Sequence, residues 1–281
     1  MISLDAVNLG YSNVPILENI SFHVEKGEFL GVIGLSGAGK STLLMSIIGN
    51  IRVLEGQYQV FGHDLSLINK SNLRELRSRI GFIFQGYNLV NRLSVLHNVM
   101  SGMLKNIPLG RALTKFYKTE ELDKVYEYMQ VVGIEHLAMK RCDELSGGQR
   151  QRVAIARALA QEPDVLLADE PVAALDPKSA VQVMDVLRRV NETYGVTVIS
   201  NLHHLDFARE YCGRIIGVAA GGIAFDGTPD ELQDRHLDTI YENNSSAVAE
   251  KKRTCILDKI QGIPEKSRQR QEVGDQIAIA A

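Results

Sequence analysis

Apolar and polar residues alternate twice near the start of the chain, in ISLDAVNL (2–9) and ISFHVE (20–25), on either side of the turn-rich GYSNVP (10–15). This period of two predicts a pair of antiparallel strands. EKGE then leads into FLGVIG (29–34), a short apolar run of the kind that forms a strand buried on both faces. KSTLLMSIIG (40–49) reads as a helix ending at Gly49. QYQVFG (57–62) and RIGFIF (79–84) are further strands, with a helix over about 69–77 between them.

From about 87 to 144 the pattern changes to helical spacing, as in TEELDKVYEYMQVVGI (119–134), which predicts an inserted helical segment. Strand–helix alternation then resumes with DVLLAD (164–169), a helix over 177–195, VTVIS (196–200), a helix over 204–212 and RIIGVAA (214–220). GGIAFDGTPDELQ (221–233) predicts a last turn, strand and helix, the helix falling on its DELQ end. The order β-α-β-α with Val- and Leu-rich strands implies a mostly parallel sheet covered on both faces. The expected organisation is one domain over 1–242, with the insertion at about 87–144, followed by a polar tail over 243–281 with little pattern.

Composition narrows the possibilities. With 45% hydrophobic residues the chain can build a sizeable core. A formal net charge of −3 gives no general attraction to nucleic acid or anionic lipid, and no nucleic-acid partner is expected. Cys142, Cys212 and Cys255 are widely spaced, which implies reduced thiols rather than a disulfide frame or zinc site. No signal peptide is evident at the N-terminus, and no run reaches the roughly 18–20 apolar residues of a membrane span. Work at a membrane would therefore go through a partner.

GLSGAGKST (34–42) follows a predicted strand, precedes a predicted helix and fits G-x-x-x-x-G-K-[ST]. Its glycines (Gly34, Gly37 and Gly39) and Ser36 let backbone N–H groups face one concavity, to which the helix adds its own N–H groups and positive dipole end. In such a phosphate cradle Lys40 addresses the β/γ-phosphates, the Ser41 hydroxyl can ligate Mg²⁺, and Thr42 lies on the α-phosphate side. Asp169 and Glu170 stand where a buried strand emerges, the edge of an α/β sheet at which ligands collect. Asp169 can hold the metal, and Glu170 can orient and deprotonate a water. A bare Asp-Glu pair at a strand end is otherwise ordinary surface acid; the cradle upstream is what gives it meaning.

Ser146, Gly147, Gly148 and Gln149 open another helix, and Ser146 with Gln149 forms a capping-box pattern. Two helix starts suited to phosphate are one more than a single γ-phosphate needs. Two chains meeting head to tail, with the cradle of one facing the LSGGQ of the other, resolve the surplus.

LSGGQRQRVAIARALAQEPDVLLADEP (145–171), in order behind the cradle, closely resembles the signature and Walker B region of ABC-transporter ATPases, over roughly residues 2–232. The resemblance implies an α/β P-loop NTPase fold with an N-terminal antiparallel β subdomain and an inserted α-helical subdomain. It implies that Tyr11 stacks on adenine, that Gln85 is the Q-loop glutamine touching Mg²⁺ and water, that Ala173–Asp176 is the D-loop, and that His203, in preference to His204, contacts the γ-phosphate. Two departures are Ala174, where serine is common, and Gly86, where a second glutamine is frequent and which is expected to loosen the loop.

Segments 81–102, 166–180 and 202–215 are most similar to the ATP-binding subunits of phosphonate importers, some of which serve phosphite or phosphate esters. That similarity implies ATP and Mg²⁺ as ligands, a second copy and membrane permease subunits as partners, an indirect link to a substrate-binding protein, and a place on the cytoplasmic face of a bacterial inner membrane. Residues 88–99 with the insertion are expected to form the groove that receives the permease. Import of another small solute and a non-transport ABC clamp remain alternatives; a small-molecule P-loop kinase leaves LSGGQ unexplained.

Overall fold

The alternation that opens the chain folds as the strand pair it predicts. In the computed structural model, which describes residues 1–114 and 116–241, β1 (Ile2–Tyr11) and β2 (Val14–Val24) run antiparallel. β3 (Phe29–Ile33) is buried at all five residues and leads through the glycine loop into α1 (Lys40–Ile47). β4 (Arg52–Val60), the two-residue β5 (His63–Asp64), α2 (Lys70–Ser78) and β6 (Ile80–Ile83) follow. Asn69 caps α2 by accepting from the Asn72 N–H, which satisfies one of the donors a helix start leaves open.

The expected insertion is helical. It holds α3 (Val95–Met100), a 3-10 turn over Ser101–Asn106, α4 (Leu109–Thr114) and α5 (Thr119–Val131), with two further 3-10 turns before residue 145. Asn98, almost fully buried, organises its entry: its side chain accepts from the Val90 N–H and donates to the carbonyls of Val90 and Ser94 and to Cys142 Sγ. After it come α6 (Gly147–Leu159), β7 (Val165–Asp169), α7 (Pro177–Tyr194), β8 (Thr197–Asn201), α8 (Leu205–Tyr211), β9 (Arg214–Ala219), β10 (Gly222–Gly227) and α9 (Asp234–Tyr241). α7 is bounded by clear signals: Asp176 caps it, Pro177 opens it, and Gly195 closes it in a left-handed conformation (φ 63°).

The last expected helix is displaced. DELQ contributes only to a 3-10 turn (Pro229–Glu231), because Glu231 folds back to accept from the Thr228 N–H and ends the turn there. The helix proper begins at Asp234, and its Ile240 is buried. The polar tail expected from residue 243, with Cys255, lies outside the described residues.

Among the described residues there are two sheets. One is antiparallel, in the order β2-β1-β4-β5; the other runs β10-β9-β3-β8-β7-β6, parallel except for the β10–β9 pair. The parallel strands are apolar on both faces because both are covered. In β3, Leu30 and Val32 enter a core shared with β1, β2, β4 and α1, whereas Phe29 and Ile33 enter the core formed with the insertion, α6 and α7. β7 divides in the same way, with Val165 and Leu167 on the first core and Leu166 and Ala168 on the second. Sheet alternation thus places a separate hydrophobic core on each side, and the loops at the carboxyl ends of β3, β6, β7 and β8 come together at one edge.

Candidate functional site

The glycine loop is shaped by backbone constraints. Gly34 (φ 151°), Gly37 (φ 87°) and Gly39 (φ 111°) all occupy conformations that side chains disfavour. A Cβ at Gly34 would also stand 2.4 Å from the Val218 carbonyl oxygen. Ser36 and Gly37 are exposed at the crest of the loop. Gly39 is the N-cap of α1 and has no side chain to accept from the first turn, so those N–H groups face the cradle.

Lys40 is buried, and its Nζ donates to the carbonyls of Gly34 at 2.8 Å and Leu35 at 3.1 Å, which draws the loop around the ammonium. Burial pulls this ammonium below the ordinary lysine range, while the carboxylates of Glu170 and Asp169 oppose that shift. Thr42 is half-buried on the next residue but one.

Asp169 and Glu170 leave β7 in different directions because Glu170 takes a left-handed backbone (φ 52°). Asp169 Oδ1 accepts from Ser41 Oγ at 3.0 Å and from Asn201 Nδ2 at 2.6 Å. Glu170 is bracketed: Gln85 Nε2 donates to its Oε2 at 2.9 Å and His203 Nε2 donates to its Oε1 at 2.6 Å. Side chains from the start of α1 and from the carboxyl ends of β6 and β8 thus converge on two adjacent carboxylates at the end of β7. His204 is not part of this cluster; it packs edge-on against Phe207 at the start of α8.

Ser41 and Asp169 suit Mg²⁺ as a pair. Both offer hard oxygen donors beside the cradle, and Mg²⁺ takes few protein oxygens, filling its octahedron with phosphates and water. Among the described residues no group of three or more His, Cys, Asp or Glu could hold a metal alone. Gln85 turns its amide nitrogen to Glu170, which leaves its carbonyl oxygen as the atom for a metal or water.

The Ser146–Gln149 box forms in full: Ser146 Oγ accepts from the Gln149 N–H at 3.3 Å and Gln149 Oε1 accepts from the Ser146 N–H at 3.0 Å. Such a cap stabilises a helix by about 1 kcal/mol. Packing gives the glycines a second reason. A Cβ at Gly148 would stand 2.9 Å from Ser179 Cβ on α7, and one at Gly147 would stand 3.1 Å from Leu175 Cδ2 and 3.2 Å from the Tyr87 hydroxyl. Among the described residues no hydrogen bond joins Ser146–Gln149 to the cradle of the same chain. Tyr11, at the end of β1, is 43% exposed. Asp176, the last residue of 173–176, is committed to capping α7.

Two features were not foreseen from the sequence. Asn201 ends an apolar strand and shows no motif, yet strand register sets it opposite Asp169. In the loop after Gln85, Gly86 does not take a left-handed backbone. The left-handed positions fall instead on Tyr87 (φ 59°) and Asn88 (φ 49°), and Arg157 of α6 holds them by donating to the Asn88 and Tyr87 carbonyls at 2.5 and 3.0 Å. Beside this loop a cleft of about 480 Å³ opens along edge strand β6, lined by Phe82, Phe84, Asn88, Lys105 and Arg157 among others. Of the residues expected to form a partner groove, Asn88 and, from the insertion, Ser101, Gly102 and Lys105 line this cleft.

Known proteins resemble this chain in sequence and in fold. A family model described as ABC transporter matches residues 17–173. The phosphonates import ATP-binding protein PhnC of Rhodopseudomonas palustris (strain BisB5) is 44% identical over 242 residues, covering 86% of this chain and 90% of the relative. That of Lactobacillus johnsonii (strain CNCM I-12250) is 44% identical over 251 residues, covering 89% and 99%. Among solved structures, the ATP-binding cassette MJ0796, in a dimeric post-hydrolysis state bound to ADP and Pi, superposes with a TM-score of 0.71 at 32% identity, covering 82% of this chain and 99% of that one. cbiO1 from Clostridium perfringens, described as part of the transporter complex cbiONQ, gives a TM-score of 0.73 at 30% identity, covering 82% and 89%.

Proposed function

The chain belongs to the ABC transporter family, as an importer-type ATPase, and on that premise we propose that it powers uptake of phosphonates or related phosphite and phosphate esters. The observation that carries the catalytic reading is the Glu170 carboxylate, fixed between Gln85 and His203 next to the Lys40 cradle. A carboxylate held at both oxygens has one orientation, which is what a base aligning an attacking water requires.

Lys40 and the loop N–H groups hold the β- and γ-phosphates of ATP, and Tyr11 stacks on its adenine. Ser41 and Asp169, with the Gln85 carbonyl, hold Mg²⁺. When bound, Mg²⁺ neutralises charge on the terminal phosphates. Glu170 takes the proton of the water, and His203 donates to the γ-phosphate as charge moves onto it. Ser146, Gly147 and Gly148 of a second copy complete the site from the opposite side. The dimeric form of the MJ0796 cassette supports that arrangement, and among the described residues no hydrogen bond ties this helix tip to its own cradle.

Among the described residues no helix is long and apolar enough to cross a membrane. The partner in the bilayer is a separate permease, reached from the cytoplasmic face, with a substrate-binding protein delivering solute to it. The substrate class rests on the names of relatives at 42–44% identity over most of the chain.

Growth with methylphosphonate as sole phosphorus source tests the proposal. A strain lacking the chain stops growing on the phosphonate and still grows on orthophosphate. The intact gene restores growth and a Glu170→Gln copy does not. Undiminished growth on the phosphonate without the chain removes the substrate assignment.

A further inference from the structure

Gln85 and Ser146–Gly148 belong to different ends of the proposed dimer site, yet one side chain touches the surroundings of both. Tyr87, two residues after Gln85, brings its hydroxyl so near the tip of α6 that a Cβ at Gly147 would stand 3.2 Å away. Two arginines of α6 reach the same residue. The Arg150 guanidinium lies 5.4 Å from the Tyr87 ring centroid, and Arg157 donates through both terminal nitrogens to the Tyr87 and Asn88 carbonyls. Their spacing of seven is two helical turns, so they share one face of α6. Among the described residues no carboxylate lies within salt-bridge distance of Arg157, and it donates to these two carbonyls. The loop it grips is one that needs holding, since Tyr87 and Asn88 are consecutive left-handed residues other than glycine.

We infer that Tyr87, clamped by Arg150 and Arg157, is a positioning residue that ties Gln85 to the tip of the helix carrying Ser146–Gly148. This rests on the proposed roles of Gln85 and Ser146–Gly148 and adds a link between them. Gln85 serves the nucleotide in its own chain, whereas Ser146–Gly148 serve the nucleotide of the partner. The strap therefore joins the two nucleotide sites of a dimer through one rigid piece of a single chain. A shift of the helix tip on meeting the partner's nucleotide moves the loop that orients Gln85, and through it Glu170.

The test compares Tyr87→Asn, Tyr87→Phe and Arg157→Met with the full-length wild-type chain. Asparagine tolerates a left-handed backbone, so Tyr87→Asn removes the ring without adding strain. Amide hydrogen exchange is followed over 84–90 and 145–150, alongside ATP affinity and turnover. Tyr87→Asn and Arg157→Met are expected to speed exchange in both segments and lower kcat about tenfold, with ATP affinity kept within about twofold. Tyr87→Phe keeps the ring beside Arg150 and loses the hydroxyl that approaches Gly147, so it is expected to match wild type over 84–90 and Tyr87→Asn over 145–150. Should Arg157→Met fail to fold, Tyr87→Asn decides alone. Faster exchange confined to 84–90 with wild-type kcat overturns the inference, as does a loss of ATP affinity equal to the loss of turnover. The exchange arm reports on the strap even if Glu170→Gln keeps turnover and the catalytic reading fails, so the two failures are distinguishable.

Discussion

Asp169 and Asn201 face each other across β7 and β8 at matched register, and the asparagine amide donates to Asp169 Oδ1 at 2.6 Å. The same oxygen accepts from Ser41. Asn201 is fully buried, and no partner of its own Oδ1 is present, so its clear contribution is to fix the carboxylate. Asn201→Leu keeps the volume and removes the donor. It is expected to raise the Mg²⁺ concentration needed for half-maximal ATPase activity by about tenfold or more, as loss of a partner behind a ligand does. A magnesium titration of turnover measures this; an unchanged midpoint assigns Asn201 to packing alone.

Glu170→Gln keeps both neighbours within reach while removing the base. ATP binding is expected within about twofold of wild type and turnover lower by about a hundredfold or more. With ATP and Mg²⁺, the variant is expected to elute as a dimer in gel filtration. Ordinary hydrolysis by this variant would remove Glu170 from the chemistry.

Ser146→Arg and Gly148→Ala separate two functions of one helix start. Ser146 is exposed and costs only its cap, so Ser146→Arg should lose about 1 kcal/mol of stability, retain ATP binding by the single chain and abolish turnover. Gly148 is buried against Ser179, so Gly148→Ala should destabilise by about 1–3 kcal/mol through overpacking. Thermal melts and equilibrium ATP binding tell the two apart. Weaker binding to the Ser146→Arg monomer would mean that the signature serves its own cradle.

Burial pushes the Cys142 thiol up to about 11 and the Cys212 thiol up to about 12, from an ordinary value of 9.0. Both are buried and stay protonated at pH 8 in the folded chain. Iodoacetamide at that pH should leave them unmodified until denaturant is added, as peptide mass spectrometry will report. Because both folded values lie above the unfolded one, the stability that protonation contributes is complete below pH 9. It is lost as pH rises through about 11. Rapid native alkylation of Cys142 would show that the insertion opens.

The strands were legible because each obeys a short-range rule: period two in β1 and β2, and uniform apolarity in β3 and β7, whose two faces meet different cores. The cradle and the Asp169–Glu170 pair were legible because glycine and adjacent carboxylates carry chemistry in their spacing. What register and packing decide was not. Asn201 looks like any polar residue at a strand exit until β8 is laid beside β7. Tyr87 looks like a loop aromatic until α6 closes on it, and Gly86 drew attention that belonged to its neighbours. The final helix was misplaced because Thr228 and Glu231 form a local cap, a competitor to helix that periodicity does not register.

β3 delivers the chain to the nucleotide loop, yet its hydrogen-bonded neighbours come from far downstream: Phe29 pairs with Val198 and Ile33 with Gly217. On a ribosome the early residues must wait, since a strand that belongs at the centre of a sheet cannot be seated before its flanking partners exist. The ability to grip a triphosphate should therefore emerge late in synthesis, only once the polypeptide has been extended beyond residue 217. Until then an apolar central strand remains in need of shelter, and nascent chains arrested short of that length are the ones expected to recruit chaperones.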